Sequence, residues 1–163
     1  MAANSTDAED LGRQVDAVMR ASRVLVGVVA HSVAEVEDLV SLTQFRVLVI
    51  IASKAPVNLG QVADGLGVHA SNATRTVDKL VTAGFVERAD DPADRRYLVL
   101  NLTSAGHDVV ERVMAYRRSS IAAVMAGMPQ SRRRALASAL AAFAKAAGQQ
   151  PDDDEAYLLG LSS

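Results

Sequence analysis

Apolar residues recur every three or four positions near both ends of the chain. Close to the N-terminus this spacing predicts a long amphipathic helix that runs to about residue 31, with a stripe of Leu11, Val15, Val18, Leu25 and Val29. A second run spans residues 109–125, and Pro129 interrupts it before a last helical pattern that ends near Gly148. The pattern therefore predicts one long helix before the middle of the chain and two helices after it.

In the middle of the chain, polar residues and glycine mark the ends of three shorter helices. Ser41 and Asn58 each precede an apolar run, and a glutamine follows each of them three residues later, as in a capping box. Pro56 is expected to stop the first of these helices. Gly67 can adopt a positive φ and is expected to end the second. A third helix is predicted over residues 69–83.

This third helix has two different faces. Its core side carries apolar residues spaced i, i+4, i+7 and i+8, namely Ala73, Val77, Leu80 and Val81. The opposite stripe contains hydrogen-bonding side chains and no carboxylate, with Asp78 to one side: Ser71, Asn72, Arg75, Thr76 and Lys79. Such a stripe can present donors and acceptors to base edges and cations to phosphates. The alternative is an ordinary solvated helix face.

Two strand patterns follow, over residues 85–89 and 97–103, and the second alternates so that one face is expected to hold Leu98, Leu100 and Leu102. The polar turn between them has the composition of a hairpin and carries Arg95 and Arg96 near its tip. A narrow minor groove of DNA attracts guanidinium groups, and Asp94 is placed to hold Arg96 in one rotamer. The alternative is a surface ion pair of little energetic value. Two short helices and a hairpin together predict a winged helix-turn-helix.

Composition narrows the possible functions. The chain has 163 residues, 50% hydrophobic and only 4% aromatic, with no cysteine, which leaves no disulfide, thiolate metal site or cysteine redox switch. A net charge of −2 means that any positive charge directed at DNA is local. No apolar run reaches the roughly 18 residues needed to span a bilayer, and the first ten residues lack the features of a signal peptide. We therefore expect a cytoplasmic protein with no membrane partner and no cofactor.

The wide apolar faces of the end helices leave two interpretations open. The helices could pack only on their own middle segment. Alternatively, they could intertwine with a second copy of the chain and bury what one chain leaves exposed. Symmetric dimers are the commonest oligomers and suit a two-fold symmetric DNA site, so the homodimer is the favoured interpretation.

Four segments give the chain a family resemblance. They are Thr74-Arg75, Gly84-Phe85-Val86, Asp94-Arg95-Arg96 and the run from Leu100 to Gly106 that contains Leu-Thr-x-x-Gly. With them the chain resembles the MarR family of bacterial transcriptional regulators over nearly its whole length. The resemblance implies a homodimer with intertwined terminal helices, a palindromic double-stranded DNA operator, and release from DNA by a small organic effector, often phenolic or anionic. The lack of cysteine excludes the peroxide-sensing branch of the family.

The predicted architecture is mainly α with a small β-hairpin wing. Residues 1–40 are expected to form an N-terminal dimerisation arm, residues 41–103 the winged helix-turn-helix, and residues 104–163 the C-terminal dimerisation helices and an acidic tail at 152–155. The resemblance assigns the recognition helix to the major groove through His69, Ser71, Asn72, Thr74, Arg75, Thr76 and Lys79. It assigns the wing to the minor groove through Asp94, Arg95 and Arg96, with Arg96 as the reader and Asp94 as its orienting partner.

Other classes of function have weaker support. The sequence contains neither a nucleophile elbow nor a glycine-rich phosphate loop, so an enzyme is not expected. His31 with Glu35 or Glu37, and His107 with Glu111, could supply nitrogen and oxygen ligands to a metal, which leaves a metal-sensing regulator of the same fold as an alternative. A winged-helix protein-interaction module that never touches DNA is the other.

Overall fold

The computed structural model describes residues 2–91, 94 and 96–148, with side chains from residue 7 onward. Its helices are α1 (Ala2–Ala34), α2 (Leu42–Lys54), α3 (Leu59–Leu66), α4 (Ala70–Thr82), α5 (Ser104–Ala126) and α6 (Gln130–Ala146), and its strands are β1 (Val86–Asp90) and β2 (Leu98–Leu102). The fold is mainly helical with one hairpin, as the sequence predicts. Helix α1 is longer at both ends than predicted, and the acidic run at 152–155 lies outside the described residues.

The short helices begin where local chemistry satisfies their first backbone N–H groups. The Asn58 side chain accepts a hydrogen bond from the Gln61 backbone N–H, and the Gln61 side chain accepts one from the Asn58 backbone N–H, both at 2.9 Å. Ser41 and Gln44 form the same reciprocal pair at the start of α2. Gly67 ends α3 with a φ of 66°, which a residue with a Cβ rarely adopts. The capping predictions are confirmed.

The two strands pair antiparallel, with Val86 opposite Leu102 and Asp90 opposite Leu98. One detail of the predicted alternation is wrong, because Leu98 is exposed whereas Val99 is buried. Leu98 lies at the end of β2 nearest the wing tip, opposite Asp90 at the end of β1. A further contact has no local sequence signal: the Leu100 backbone N–H donates to the Val57 carbonyl at 2.8 Å and so connects the strand to the turn before α3.

The junction between the hairpin and α5 explains the Leu-Thr-x-x-Gly segment. The Thr103 hydroxyl donates to the Gly84 carbonyl at 2.6 Å and accepts from the Gly106 backbone N–H, so that one side chain caps α5 and holds the start of the hairpin. The Thr103 backbone N–H also donates to the carbonyl of Phe85. A Cβ at Gly106 would overlap that carbonyl oxygen. Glycine is required here by the close approach of two backbone segments.

The hydrophobic core lies where α2, α3, α4 and the hairpin meet, and its largest fully buried side chains are Phe45, Leu48, Ile51 and Leu80. Burying each of these contributes about 1.5–3 kcal/mol relative to exposure. The core extends beyond residues 41–103, because Val36 before that range and Val109 and Val113 after it are buried in the same cluster. The winged module therefore shares its core with the turn that follows α1 and with the first half of α5.

The remaining lengths of the terminal helices leave apolar side chains open to solvent. The predicted stripe of α1 is exposed in the single chain, with Leu11 at 61%, Val15 at 51% and Val18 at 49% of full exposure. Helix α6 has no buried residue, and its Leu140 and Phe143 are likewise exposed. Isolated apolar residues on a surface are ordinary, but a continuous apolar face along two helices is typical of an interface.

Helix α1 also meets a length-and-composition criterion for crossing a membrane over residues 7–34, and only 6% of its apolar 18-residue window is buried. This corrects the expectation that no apolar stretch is long enough. The run contains Arg20 and Arg23, so it is not continuously apolar. One such helix near an N-terminus is weak evidence for a membrane span, because an exposed apolar stripe that pairs with another protein helix passes the same criterion.

Candidate nucleic-acid interface

Helix α4 presents the predicted polar stripe to solvent. Its inner face is anchored by Ala73, Val77 and Leu80, all fully buried. On the outer face the side chains of Ser71, Asn72, Arg75 and Lys79 are exposed. None of the ion pairs within the described part of the chain includes Arg75 or Lys79. Both cations are therefore open to an external anion such as a phosphate.

The two threonines assigned to the recognition helix are placed differently from their neighbours. Thr74 and Thr76 are only partly exposed, and they flank the buried face of α4. The hydroxyl of Thr74 donates to the Ala70 carbonyl at 2.8 Å, and that of Thr76 donates to the Asn72 carbonyl at 3.0 Å. Because each hydroxyl proton is already used within the helix, these side chains can offer DNA a lone pair or a methyl group, but no free donor.

His69 occupies the N-cap position of α4, with an extended backbone and no side-chain hydrogen bond to the helix. Its imidazole is exposed. The first backbone N–H groups of α4 consequently lack a side-chain acceptor, in contrast to those of α2, α3 and α5, which Ser41, Asn58 and Thr103 cap.

Asp78 lies on the flank of the α4 surface, and the structure gives it a partner that local sequence did not indicate. The Arg88 guanidinium on β1 donates to the Asp78 carboxylate, Nη2 to Oδ1, at 2.5 Å. A free carboxylate at this edge would repel DNA phosphates, and the pairing reduces that repulsion. The same contact joins the base of the hairpin to the recognition helix.

The wing holds Arg96 in a forked pair with Asp94. Arg96 Nε donates to Asp94 Oδ1 at 3.0 Å and Nη2 donates to Oδ2 at 2.6 Å, and the Arg96 backbone N–H also donates to Oδ1 at 3.1 Å. The side-chain hydrogen bonds from Arg96, followed by the backbone one, hold the pKa of Asp94 below its usual value of 3.8, so the carboxylate is charged at neutral pH. The Arg96 side chain nevertheless stays 83% exposed. The pair fixes the direction of the guanidinium while leaving it accessible.

The predicted wing residue Arg95 lies outside the described residues. Next to Arg96, Tyr97 is exposed, and its backbone closes the turn: its N–H donates to the Asp94 carbonyl and its carbonyl accepts from the Asp91 N–H, both at 2.9 Å.

The histidines show no arrangement suited to a metal. Within the described residues, no group of three or more histidine, cysteine or carboxylate side chains gathers where it could hold an ion. His31 is exposed and its Nδ1 lies 2.7 Å from the Gly27 carbonyl of its own helix. The metal-sensing alternative therefore has no support from this part of the chain.

Two functional candidates were missed by sequence reasoning. Arg88 was treated as part of an ordinary strand, and its partner is ten residues away. Arg117 is buried in α5 beside Ser32 of α1. A signal for the second was available, because Arg117 follows Val109 and Val113 at four-residue intervals and so stands on the core stripe of its helix.

Comparison with known proteins agrees with this geometry. The model of the MarR family matches residues 40–98, which include α2, α3, α4 and most of the hairpin. The HTH-type transcriptional regulator Mb0904 of Mycobacterium bovis is 30% identical over 100 residues, covering 61% of this chain and 70% of its own. The transcriptional repressor MprA of Escherichia coli is 34% identical over 74 residues, covering 44% of this chain and 42% of its own.

Solved structures extend the likeness to the terminal helices. RV1404 from Mycobacterium tuberculosis superposes with a TM-score of 0.73 at 42% identity, over 83% of this chain and 92% of its own. CouR from Rhodococcus jostii RHA1, solved with p-coumaroyl-CoA bound, superposes with a TM-score of 0.51 at 25% identity, over 77% of this chain and 87% of its own.

The chain therefore belongs to the MarR family, and it is a DNA-binding transcriptional regulator with a winged helix-turn-helix fold. This is a family of regulators and not of enzymes.

Proposed function

We propose that this protein is a homodimeric repressor that binds an inverted-repeat operator and leaves it when a small organic anion binds. In each subunit α4 enters the major groove, and the hairpin places Arg96 in the adjacent minor groove. The protein acts in the cytoplasm, where its DNA is. The name of MprA, a transcriptional repressor, supports repression as the mode of regulation. The p-coumaroyl-CoA bound to CouR supports an organic anion as the effector.

The main support for DNA binding by the wing is the forked Asp94–Arg96 pair. An exposed arginine normally samples many rotamers, and ordering it in a groove costs side-chain entropy. Here Asp94 has already limited those rotamers without burying the guanidinium. A carboxylate beside DNA is unfavourable by itself, so its presence at the wing is best explained by this orienting effect.

On α4 the proposal assigns different tasks to different side chains. Arg75 and Lys79 neutralise phosphates or contact base edges, while Ser71, Asn72 and His69 offer hydrogen bonds. Thr74 and Thr76 contribute acceptor or methyl contacts, since their protons are held by the helix backbone.

The homodimer explains the exposed apolar faces of α1 and α6. Two copies that bury Leu11, Val15, Val18, Leu140 and Phe143 against each other remove those side chains from water. A two-fold axis between the copies then places the two α4 helices in successive major grooves, about 10 bp or roughly 34 Å apart.

The test of DNA recognition is Arg96→Ala, assayed by gel shift and footprinting on operator fragments recovered from genomic DNA. We expect specific binding to weaken by about 1–3 kcal/mol, the value of one good readout contact, without loss of the fold. The matched control is Arg13→Ala, which removes another exposed arginine paired with a nearby carboxylate, Asp10, at 3.0 Å on α1. Equal operator affinity for wild type and Arg96→Ala would contradict the minor-groove assignment. A wild-type protein that binds no genomic fragment specifically would favour a protein-interaction module.

A further inference from the structure

The wing exposes an aromatic side chain directly beside its forked ion pair. Tyr97 keeps 62% of its full exposure, in a chain with only three tyrosines, three phenylalanines and no tryptophan. Elsewhere in the winged module and α5, Phe45 is fully buried, and Phe85 and Tyr116 are partly buried. A single exposed apolar residue is ordinary on a protein surface, so the position of this one decides what it means.

The backbone fixes the point from which the Tyr97 side chain extends. Its N–H donates to the Asp94 carbonyl and its carbonyl accepts from the Asp91 N–H, each at 2.9 Å. The first of these bonds closes the turn that contains Arg96. Consecutive Cα atoms are about 3.8 Å apart, and the minor groove of DNA is about 6 Å wide. When Arg96 occupies that groove, Tyr97 is therefore placed against one of its walls, which consist of sugars and phosphates.

Tyrosine carries both kinds of group that such a wall accepts. Its ring is apolar and packs on deoxyribose, and its hydroxyl donates to a phosphate oxygen. None of the hydrogen bonds between described residues uses the Tyr97 hydroxyl, so the hydroxyl proton is available to DNA. A tyrosine side chain has only two main rotatable bonds, so ordering it on DNA costs little conformational entropy.

We propose that Tyr97 is a further DNA-contact residue of the wing, which donates a hydrogen bond to a backbone phosphate beside the minor groove that Arg96 enters. This inference rests on the proposed function and adds a neutral contact to it. Arg96 supplies the charge within the groove. Tyr97 holds the hairpin at one phosphate and so positions the wing without reading bases.

The next residue of the wing shows why DNA fits this surface better than a protein does. Leu98 is also exposed, at 57%, but successive side chains of a strand point to opposite faces. Tyr97 and Leu98 therefore do not form one apolar patch of the kind that protein interfaces use. A single tyrosine beside an accessible guanidinium instead matches a phosphate backbone, to which both side chains donate.

The first experiment removes only the hydroxyl, with Tyr97→Phe. Gel shifts compare it with wild type on the operator fragment recovered from genomic DNA and on a duplex of the same bases in scrambled order. We expect affinity to fall about tenfold on both duplexes, because a phosphate contact carries no sequence information. Tyr116→Phe makes the same change on α5, outside the hairpin, and should leave both affinities unchanged. A loss on the operator alone would indicate a base contact and overturn the proposal.

The salt dependence of binding separates a neutral contact from a charged one. A tyrosine releases no counterion when it binds a phosphate, so Tyr97→Phe should keep the wild-type slope of log affinity against log salt concentration. Lys79→Ala, which removes a cation from α4, should lower that slope by about one unit. A lower slope for Tyr97→Phe would show that the hydroxyl acts through a neighbouring cation, and the direct contact would be wrong.

A chemically neutral phosphate locates the contact. Operator duplexes in which one phosphate at a time is replaced by methylphosphonate are titrated with wild type and with Tyr97→Phe. At one phosphate beside the minor groove in each half-site, the two losses of affinity should not add, because either change alone removes the same hydrogen bond. Full additivity at every phosphate would contradict the assignment.

The fold, the contact and the proposed function fail separately. The Tyr97 side chain is exposed, so Tyr97→Phe should melt at the wild-type temperature, and a lower melting temperature would assign the hydroxyl to the fold and overturn the proposal. If operator binding depends on Arg96 and Lys79 but not on Tyr97, the new contact is wrong and the DNA-binding assignment stands. A wild-type protein that binds no genomic fragment specifically would overturn both.

Discussion

The winged module and the terminal helices are built from similar apolar patterns, yet they differ in how far one chain can satisfy them. In the module, Phe45, Leu48 and Leu80 are fully buried by neighbouring elements of the same chain. In α1 and α6, Leu11 and Phe143 are each 61% exposed. An amphipathic stripe therefore predicts that a helix face will be buried, but it does not identify the element that buries it. In the module the partner is local, whereas in the arms no element of the described chain covers the stripe, and the proposed partner is a second copy.

The largest effect is expected at the junction that closes the module. Gly106→Ala places a methyl group against the Phe85 carbonyl, where only backbone can yield, and we expect a loss of about 3 kcal/mol in the free energy of unfolding. The matched change in the arm is Gly12→Ala, where a Cβ meets no atom within 4 Å, and it should stabilise helix α1 by about 1 kcal/mol. Urea denaturation of both variants measures the contrast. Similar effects of the two changes would mean that the junction is not tightly packed.

The next effect concerns the apolar face of the arms. Phe143→Asp puts a charge on the exposed apolar stripe of α6 and should convert the dimer to a monomer, lowering operator affinity by about 100-fold as the second half-site is lost. Ser138→Asp introduces the same charge on the opposite, exposed face of α6 and should change neither property. Sedimentation and gel shifts of the two variants decide the matter. A wild-type protein that sediments as a monomer would refute the interface.

A smaller effect is expected at the edge of the DNA surface, where Arg88 and Asp78 are paired. Both side chains are well exposed, so the pair should contribute little to folding. Arg88→Ala frees the Asp78 carboxylate and should weaken operator binding by about 1 kcal/mol, roughly fivefold, at low salt. Asp78→Asn in the same background should restore most of the loss. If the double variant binds no better than Arg88→Ala, Arg88 contacts DNA directly and does not act through Asp78.

Much of the architecture was predictable because its causes are local. Ser41 and Asn58 cap helices through residues three positions away, and Gly67 ends α3 through its own φ. The hairpin and its Asp94–Arg96 pair are similarly short in range, since the two partners are two positions apart in the sequence. The exposure of Leu98 was not predictable from alternation, because the tertiary structure decides which residues of a strand are covered.

The sequence by itself determined the order of the elements, the ends of the short helices, the polar face of α4 and the family. Each of these depends on residues that lie a few positions apart, whose interactions form in any chain with that local pattern. Only the tertiary structure decided that Arg88 pairs with Asp78, that Gly106 meets the Phe85 backbone, and that Arg117 lies buried beside Ser32. Ser32 and Arg117 are 85 residues apart. The four-residue spacing from Val109 and Val113 places Arg117 on the core stripe of its helix. Its pairing with Ser32 depends on how whole helices pack, and no local pattern encodes that packing.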